Sequence, residues 1–242
     1  MKFLILWVSL LLLSPKIVKA QSHISFQHYG VSEGLSNADI TTFYQDSQGY
    51  MWIGTSNGLN RGNGLHFKIF TVSEDSIENS LLNHKIRSIL EDKNNNIWIG
   101  TSKGLSKYNP QLEQFTNFTE VGDCTDCLAG RIIKTMVEEG DNLWLGTNAG
   151  LSKINTKTYE ISSWWYTKES KNIPAIYSVQ DILLLKDGNL LLATDEGLVV
   201  FNPKQNTFKE ITIPYKLRVK GISALFQDSF ETIWIGTDYD GV

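Results

Sequence analysis

Asn96-Ile-Trp-Ile-Gly-Thr-Ser-Lys-Gly-Leu105 decides the fold, because the chain writes the same phrase again at nearly constant spacing. Trp52, Trp98, Trp144 and Trp234 each stand in a copy, and Leu191 holds the equivalent place in a further one. The successive intervals are 46, 46, 47 and 43 residues. A period of this size belongs to stacked supersecondary units such as propellers and solenoids, in which each unit buries its apolar surface only against its neighbours.

The residues on either side of each Trp are apolar (Met51 and Ile53, Ile97 and Ile99, Leu143 and Leu145, Ile233 and Ile235). Side chains on a strand alternate between faces, so the indole points one way and its neighbours the other. Neither face is left for water, which predicts a strand in a sheet sandwiched between two others. Gly54, Gly100, Gly146 and Gly236 come two residues later, on the indole face. A missing side chain there leaves room for a ring from the next sheet. Threonine follows in every copy (Thr55, Thr101, Thr147, Thr194, Thr237) and suits a strand.

Asn57-Gly58, Lys103-Gly104, Ala149-Gly150 and Glu196-Gly197 then read as two-residue hairpin turns, with Leu59, Leu105, Leu151 and Leu198 opening the returning strand. Ile40, Ile86, Ile132, Val179 and Ile222 stand twelve residues before each Trp position and mark a first strand. Turns such as Asp46-Ser-Gln-Gly49 join it to the Trp strand. Pairs three apart (Ile69 and Val72, Phe115 and Phe118, Ile161 and Trp164, Phe208 and Ile211) mark a fourth strand. Four short antiparallel strands in about 45 residues form a propeller blade rather than a helical repeat.

Phe26 and Tyr29 precede Ile40 as Phe208 and Ile211 precede Ile222, so the chain is expected to open on an orphaned outer strand. The last copy runs from Ile222 to Val242 and stops where its third strand would begin. The expected fold is therefore all-β: an incomplete propeller of about four and a half blades over residues 21–242, part of something longer.

Met1 to Ala20 carries Lys2, an apolar run from Phe3 to Leu13, Pro15, and a small-residue cleavage site at Val18-Lys19-Ala20. This is a secretory signal peptide. Its apolar run falls short of the roughly 20 residues that a spanning helix needs, so no membrane span is expected and the product is read as periplasmic. The formal charge is −4, and removing Lys2, Lys16 and Lys19 with the leader makes it more negative still. No basic stripe is present, which excludes nucleic acid as the expected partner.

The phrases Gly34-Leu-Ser-Asn37 with Asp46-Ser-Gln-Gly-Tyr-Met-Trp-Ile-Gly-Thr-Ser-Asn-Gly-Leu-Asn-Arg61, and Glu91-Asp-Lys-Asn-Asn-Asn-Ile-Trp-Ile-Gly-Thr-Ser-Lys-Gly-Leu-Ser-Lys-Tyr-Asn109, resemble the two-component regulator propeller repeat. The resemblance recurs five times between residues 24 and 242 and departs in the fourth copy, where Leu191 and Ala193 replace Trp and Gly. It implies the periplasmic sensor half of a Bacteroidetes hybrid two-component system protein, in which paired propellers precede a membrane helix, a histidine kinase, a receiver and a DNA-binding domain. It further implies an oligosaccharide ligand, polysaccharide-utilisation genes as the output, and a homodimer through the sensor region. This chain contains no kinase phrase, so sensing is the one activity expected of it.

Several motifs invite chemistry. Gly30-Val-Ser-Glu-Gly34 has the spacing of a nucleophile elbow but neither the buried strand before it nor the helix after it. Cys124 and Cys127 in an exported protein read as a local disulfide. Asp92-Lys-Asn94-Asn-Asn96 lacks the glycine and distal Glu of a calcium loop and coincides with the repeat's turn. His23, His28, His66 and His84 form no metal motif; no cofactor, metal site or catalytic residue is expected.

Ligand contact is expected on loops. The long connections from fourth strand to next first strand are residues 73–85, 119–131, 167–178 and 214–221, and in a propeller they open on one face. Trp165 and Tyr166 lie beyond the repeat pattern and offer an aromatic platform, while His84 and Arg87 stand at the start of the second blade. These four are the candidate ligand residues. A secreted propeller lyase or glycosidase is the competing reading, and an unstable remnant without activity is a third.

Overall fold

A computed structural model describes residues 25–74, 79–119, 126–165, 178–211, 221–238 and 241. Blade one is β1 (Ile40–Gln45), β2 (Met51–Thr55), β3 (Gly58–Gly62) and β4 (Phe67–Phe70). Blade two is β5 (Ile86–Glu91), β6 (Ile97–Thr101), β7 (Gly104–Asn109) and β8 (Gln114–Phe118). Blade three is β9 (Ile133–Glu139), β10 (Asn142–Thr147), β11 (Gly150–Asn155) and β12 (Ile161–Trp164). Blade four is β13 (Val179–Leu184), β14 (Leu190–Thr194), β15 (Gly197–Asn202) and β16 (Thr207–Ile211), and β17 (Ile222–Gln227) pairs with β18 (Ile233–Thr237). All neighbours are antiparallel and consecutive in sequence.

The first strands touch one another in series (β1, β5, β9, β13, β17), so they form the inner edge of a β-propeller arc. The sheets are not closed into a ring. A short 3-10 segment, Val31–Glu33, carries the exposed Ser32 of the elbow-like motif.

Each of the first three layers between blades is filled by the indole of one blade and the third strand of the next. Trp52 meets Phe70 at 5.6 Å and Tyr108 at 5.8 Å, and Trp144 meets Trp164 at 5.5 Å and Phe201 at 5.6 Å. Trp98 stacks on Phe118 and packs with Ile154. Burying one such ring contributes about 2–3 kcal/mol, and an aromatic pair adds about 1.

The buried indole N–H needs an acceptor. Trp52 donates to Asp46 at 2.8 Å, Trp98 to Asp92 at 2.8 Å and Trp234 to Asp228 at 2.9 Å, each carboxylate six residues upstream in the turn. Blade three has a turn one residue shorter, and the longer Glu139 reaches Trp144 at 2.8 Å from five residues upstream. On the other side a cation covers the ring: Arg61 over Trp52 at 5.7 Å, Lys107 over Trp98 at 5.9 Å and Lys153 over Trp144 at 5.6 Å. Blade four replaces the whole set with aliphatics, Leu185, Leu191 and Val200, which pack together.

Five expectations are corrected. The hairpin turns are Ser56-Asn57 and its equivalents, because Thr55 pairs with Gly58, whose φ of +116° opens the returning strand. The threonine is kept by that turn: its hydroxyl donates to the glycine carbonyl at 2.7–3.0 Å in all five copies. The Gly54 class makes room for the next blade's aliphatic residue and not a ring; a Cβ there would lie 2.6 Å from Ile86 Cγ2. The fourth strand of blade one is built on Phe67 and Phe70, with Ile69 exposed. The first strand of blade three starts on Ile133, which pairs with Thr147, since the shortened turn moves the register by one. Residues 25–30 form no strand; Phe26 is exposed and Tyr29 packs edge-on against Phe67 at 5.6 Å, so no outer strand is orphaned there.

Candidate functional site

In all five blades the pairing of first and second strands slips at one point: between Ile40 and Thr42, Ile86 and Ser88, Ile133 and Thr135, Val179 and Asp181, Ile222 and Ala224. The residue skipped is a β-bulge, a device that leaves a residue outside the ladder and re-aims its side chain. The five bulged residues are Thr41, Arg87, Lys134, Gln180 and Ser223. The position before them is always Ile or Val, but the bulge itself is always polar and differs in every blade.

Packing separates the two kinds of position. Ile86 lies back against Gly54 of blade one, while Ser88 reaches forward and donates to the Ile133 carbonyl of blade three at 3.2 Å. Thr135 likewise donates to Asp181 at 2.9 Å, and Asp181 accepts from the Leu225 N–H at 2.8 Å. The flanks of the bulge are thus committed to neighbouring blades. The bulged side chain between them lies outside the regular ladder and is left to make polar contacts.

These side chains gather at the end of the arc that carries the hairpins after each threonine. Arg87 Nε donates to Ser102 Oγ at 2.9 Å. Lys134 Nζ donates to Ser178 Oγ at 2.7 Å and to Gln180 Oε1 at 2.8 Å, and Gln180 in turn donates to Asp195. Desolvation of its half-buried setting holds the Lys134 ammonium below the usual lysine value; the Asp195 carboxylate opposes that, and the Arg87 guanidinium adds to it. Among the described residues neither Arg87 nor Lys134 forms an ion pair.

Of the residues named from sequence, Arg87 belongs to this group. His84 lies exposed three residues ahead, and its carbonyl accepts from Gly58 N–H at 2.7 Å, tying blade two to blade one. Trp165 follows β12, the outer strand of blade three, with its backbone against Gly150. Inner and outer strands of one sheet are about 14 Å apart, so Trp165 is not brought to Arg87. Tyr166 and Cys124 lie outside the described residues; Cys127 is buried and disulfide-bonded. Trp52, Trp98 and Trp144 are buried as structural residues, whereas Trp234 in the last sheet is half exposed. Lys134, Gln180, Thr41 and Ser223 were missed. Their signal in the sequence is a polar residue directly after each first-strand Ile or Val, obscured in blade three by the one-residue shift.

A cavity of about 240 Å³ opens at the opposite end, between blades one and two, beside Gln48, Tyr50, Arg61, Glu91 and Asn95. Its charged groups are already engaged. Arg61 lies 4.9 Å over the Tyr50 ring, and Glu91 accepts from Ser47 N–H at 2.6 Å and Ser47 Oγ at 2.8 Å. It is a seam between blades. The Asp92 turn is similarly closed: its carboxylate accepts from the backbone of Asn94 and Asn96 and from Trp98. Among the described residues no helix is long and apolar enough to cross a membrane.

The fold is that of a β-propeller arc, and part of its repeat matches a known family. Residues 34–57 and 80–103 match the family model described as two component regulator propeller. The extracellular domain of a hybrid two component system from B. thetaiotaomicron superposes with a TM-score of 0.77 at 24% identity, over 88% of this chain and 29% of that one. The extracellular domain of a B. thetaiotaomicron one component system gives 0.66 at 25% identity, over 90% of this chain and 27% of that one. Virginiamycin B lyase from Staphylococcus aureus gives 0.60 at 11% identity, over 81% of this chain and 62% of that one, a likeness of fold alone. No curated protein matches the sequence. The chain therefore spans under a third of the length of these two regulator relatives.

Proposed function

We propose that this chain is an exported sensor propeller of a two-component signalling protein, and that it binds an oligosaccharide at the ring of bulged inner-strand residues. The observation that supports this reading is the combination of matched regulator repeats with a bulged polar side chain that changes from blade to blade directly after a position held as Ile or Val. Variable polar side chains placed at equivalent points of a repeated strand have the form of a recognition surface carried on rigid elements. Signalling then requires that the ligand favour one of two arrangements of the sensor, biasing a kinase elsewhere in the protein. Control of polysaccharide use, a periplasmic location and dimerisation through this region belong to the same proposal.

The test is a panel of polysaccharide breakdown products mixed with the purified chain and followed by calorimetry and product analysis. Saturable binding without turnover is expected. Turnover of any glycan would replace the sensor with a propeller enzyme, and a panel without binding would remove the glycan from the reading.

A further inference from the structure

Elsewhere on the molecule, several cations near a blade junction are matched by acids, and Arg61, Lys107 and Lys153 lie over indole rings. Lys68 pairs with Glu113, Lys93 and Lys157 share Asp141, and Lys186 pairs with Glu231. Arg87 and Lys134 are the exception among bulged residues. They occupy equivalent positions on adjacent inner strands, β5 and β9, both are half-buried, and they are close enough for one charge to disfavour the other. In a chain of net charge −4 this pair stands without an ion-paired carboxylate. Keeping two like charges together, partly out of water, costs free energy, which the nearby Asp195 carboxylate offsets in part and a bound anion would offset further.

The donors are also held in place. Ser102 takes the Nε–H of Arg87 and so fixes the guanidinium plane, leaving its terminal N–H groups without a hydrogen bond among the described residues. Ser178 and Gln180 take two of the three protons of the Lys134 ammonium, which orients the third. A planar fork beside an oriented ammonium matches two oxygens of one carboxylate or sulfate, which a guanidinium grips in bidentate fashion. Ser102, Ser178 and Gln180 supply hydroxyl and amide groups around it for a sugar's own hydroxyls.

We propose that Arg87 and Lys134 together form an oxyanion site that selects an acidic sugar, one bearing a carboxylate or a sulfate, over a neutral one. This rests on the glycan reading above and names the ligand's chemical class.

The experiment titrates the 242-residue chain, and its Arg87→Gln, Lys134→Gln and Arg87→Lys variants, with glucuronate, glucose 6-sulfate and glucose at low and at physiological salt. Either acidic sugar is expected to bind at least about tenfold more tightly than glucose. Each Gln variant loses about 10- to 100-fold, the range for a charge-assisted hydrogen bond. Arg87→Lys, which keeps the charge and loses the fork, falls between; should a Gln variant fail to fold, this one carries the test. Binding of one acid alone identifies carboxylate or sulfate as the source. An anion seated here also raises the Lys134 pKa on binding, readable by NMR. Equal affinity for glucose and both acids, absent binding of both acids, or unchanged affinity in the variants would overturn the site. If oligosaccharides bind while the variants match the parent, the sensor reading survives and this one does not. If acidic monosaccharides bind as expected and no oligosaccharide does, the reverse holds.

Discussion

A glycine two residues after each indole costs strand entropy, and the neighbouring blade explains why it stays. A Cβ on Gly100 would meet Ser88 Oγ at 2.2 Å and the Ile133 carbonyl oxygen at 2.8 Å, and the second is backbone that cannot rotate away. At Gly236 the nearest atom is Ala224 Cβ at 3.4 Å, an ordinary contact. Gly100→Ala should therefore lose about 1–3 kcal/mol, the usual toll of overpacking, while Gly236→Ala should be near neutral, as chemical denaturation of the two variants would register. Carboxylates set the acid limit. Asp141 is held below 3.8 by its bonds to Lys93 and Lys157, Glu113 below 4.5 by Lys68, and Asp228 below 3.8 by the Trp234 indole. Because folding lowers these values, the stability they add is complete above the ordinary values and is lost as pH falls through the folded ones. Unfolding free energy measured at stepped pH should be flat above about 5 and fall below about 4; Asp141→Asn should flatten part of that fall.

The element-scale logic is clearest where the repeat changes. Losing the indole at Leu191 removes the need for a turn carboxylate and a covering cation, and Leu185 and Val200 have replaced both. Leu191→Trp alone should lose about 1–3 kcal/mol, leaving a buried N–H with no acceptor. Adding Leu185→Asp and Val200→Lys should restore part of that loss, and a cycle of single, double and triple variants would reveal coupling of about 0.5–3 kcal/mol; additive effects would contradict the substitution as a unit. Much at this scale was legible in the sequence. The period, the indole strand and the hairpin threonine are written in residue types that recur in phase. The shift in blade three was not, because it depends on a Glu139 side chain long enough to serve a shorter turn. Blade one offers two apolar pairs three apart, and only packing on Trp52 chooses Phe67 and Phe70 over Ile69 and Val72. The bulges escaped for a related reason: one skipped residue looks, in sequence, like ordinary alternation. Arg87 was found for its charge and place, and its partner Lys134 stayed hidden behind the same register error.

For the molecule as a whole, burial depends on having a neighbour. Ile86, Ile133 and Val179 are 0% exposed between blades, but Ile40 at the equivalent place in blade one is 42% exposed. The arc therefore presents apolar sheet faces at both ends, with Phe43 on one and Phe226 and Trp234 on the other. The bulged ring inherits its geometry from the stacked inner strands, so the proposed recognition surface stands or falls with that stacking. Hydrogen exchange of the indole N–H groups tests it most directly. Trp52, Trp98 and Trp144, each buried against the next blade and bonded to its turn carboxylate, should exchange slowly, and Trp234, half exposed in the last sheet, should exchange fast. Rapid exchange of all four, or protection of Trp234 alone, would contradict a propeller held together by its indoles.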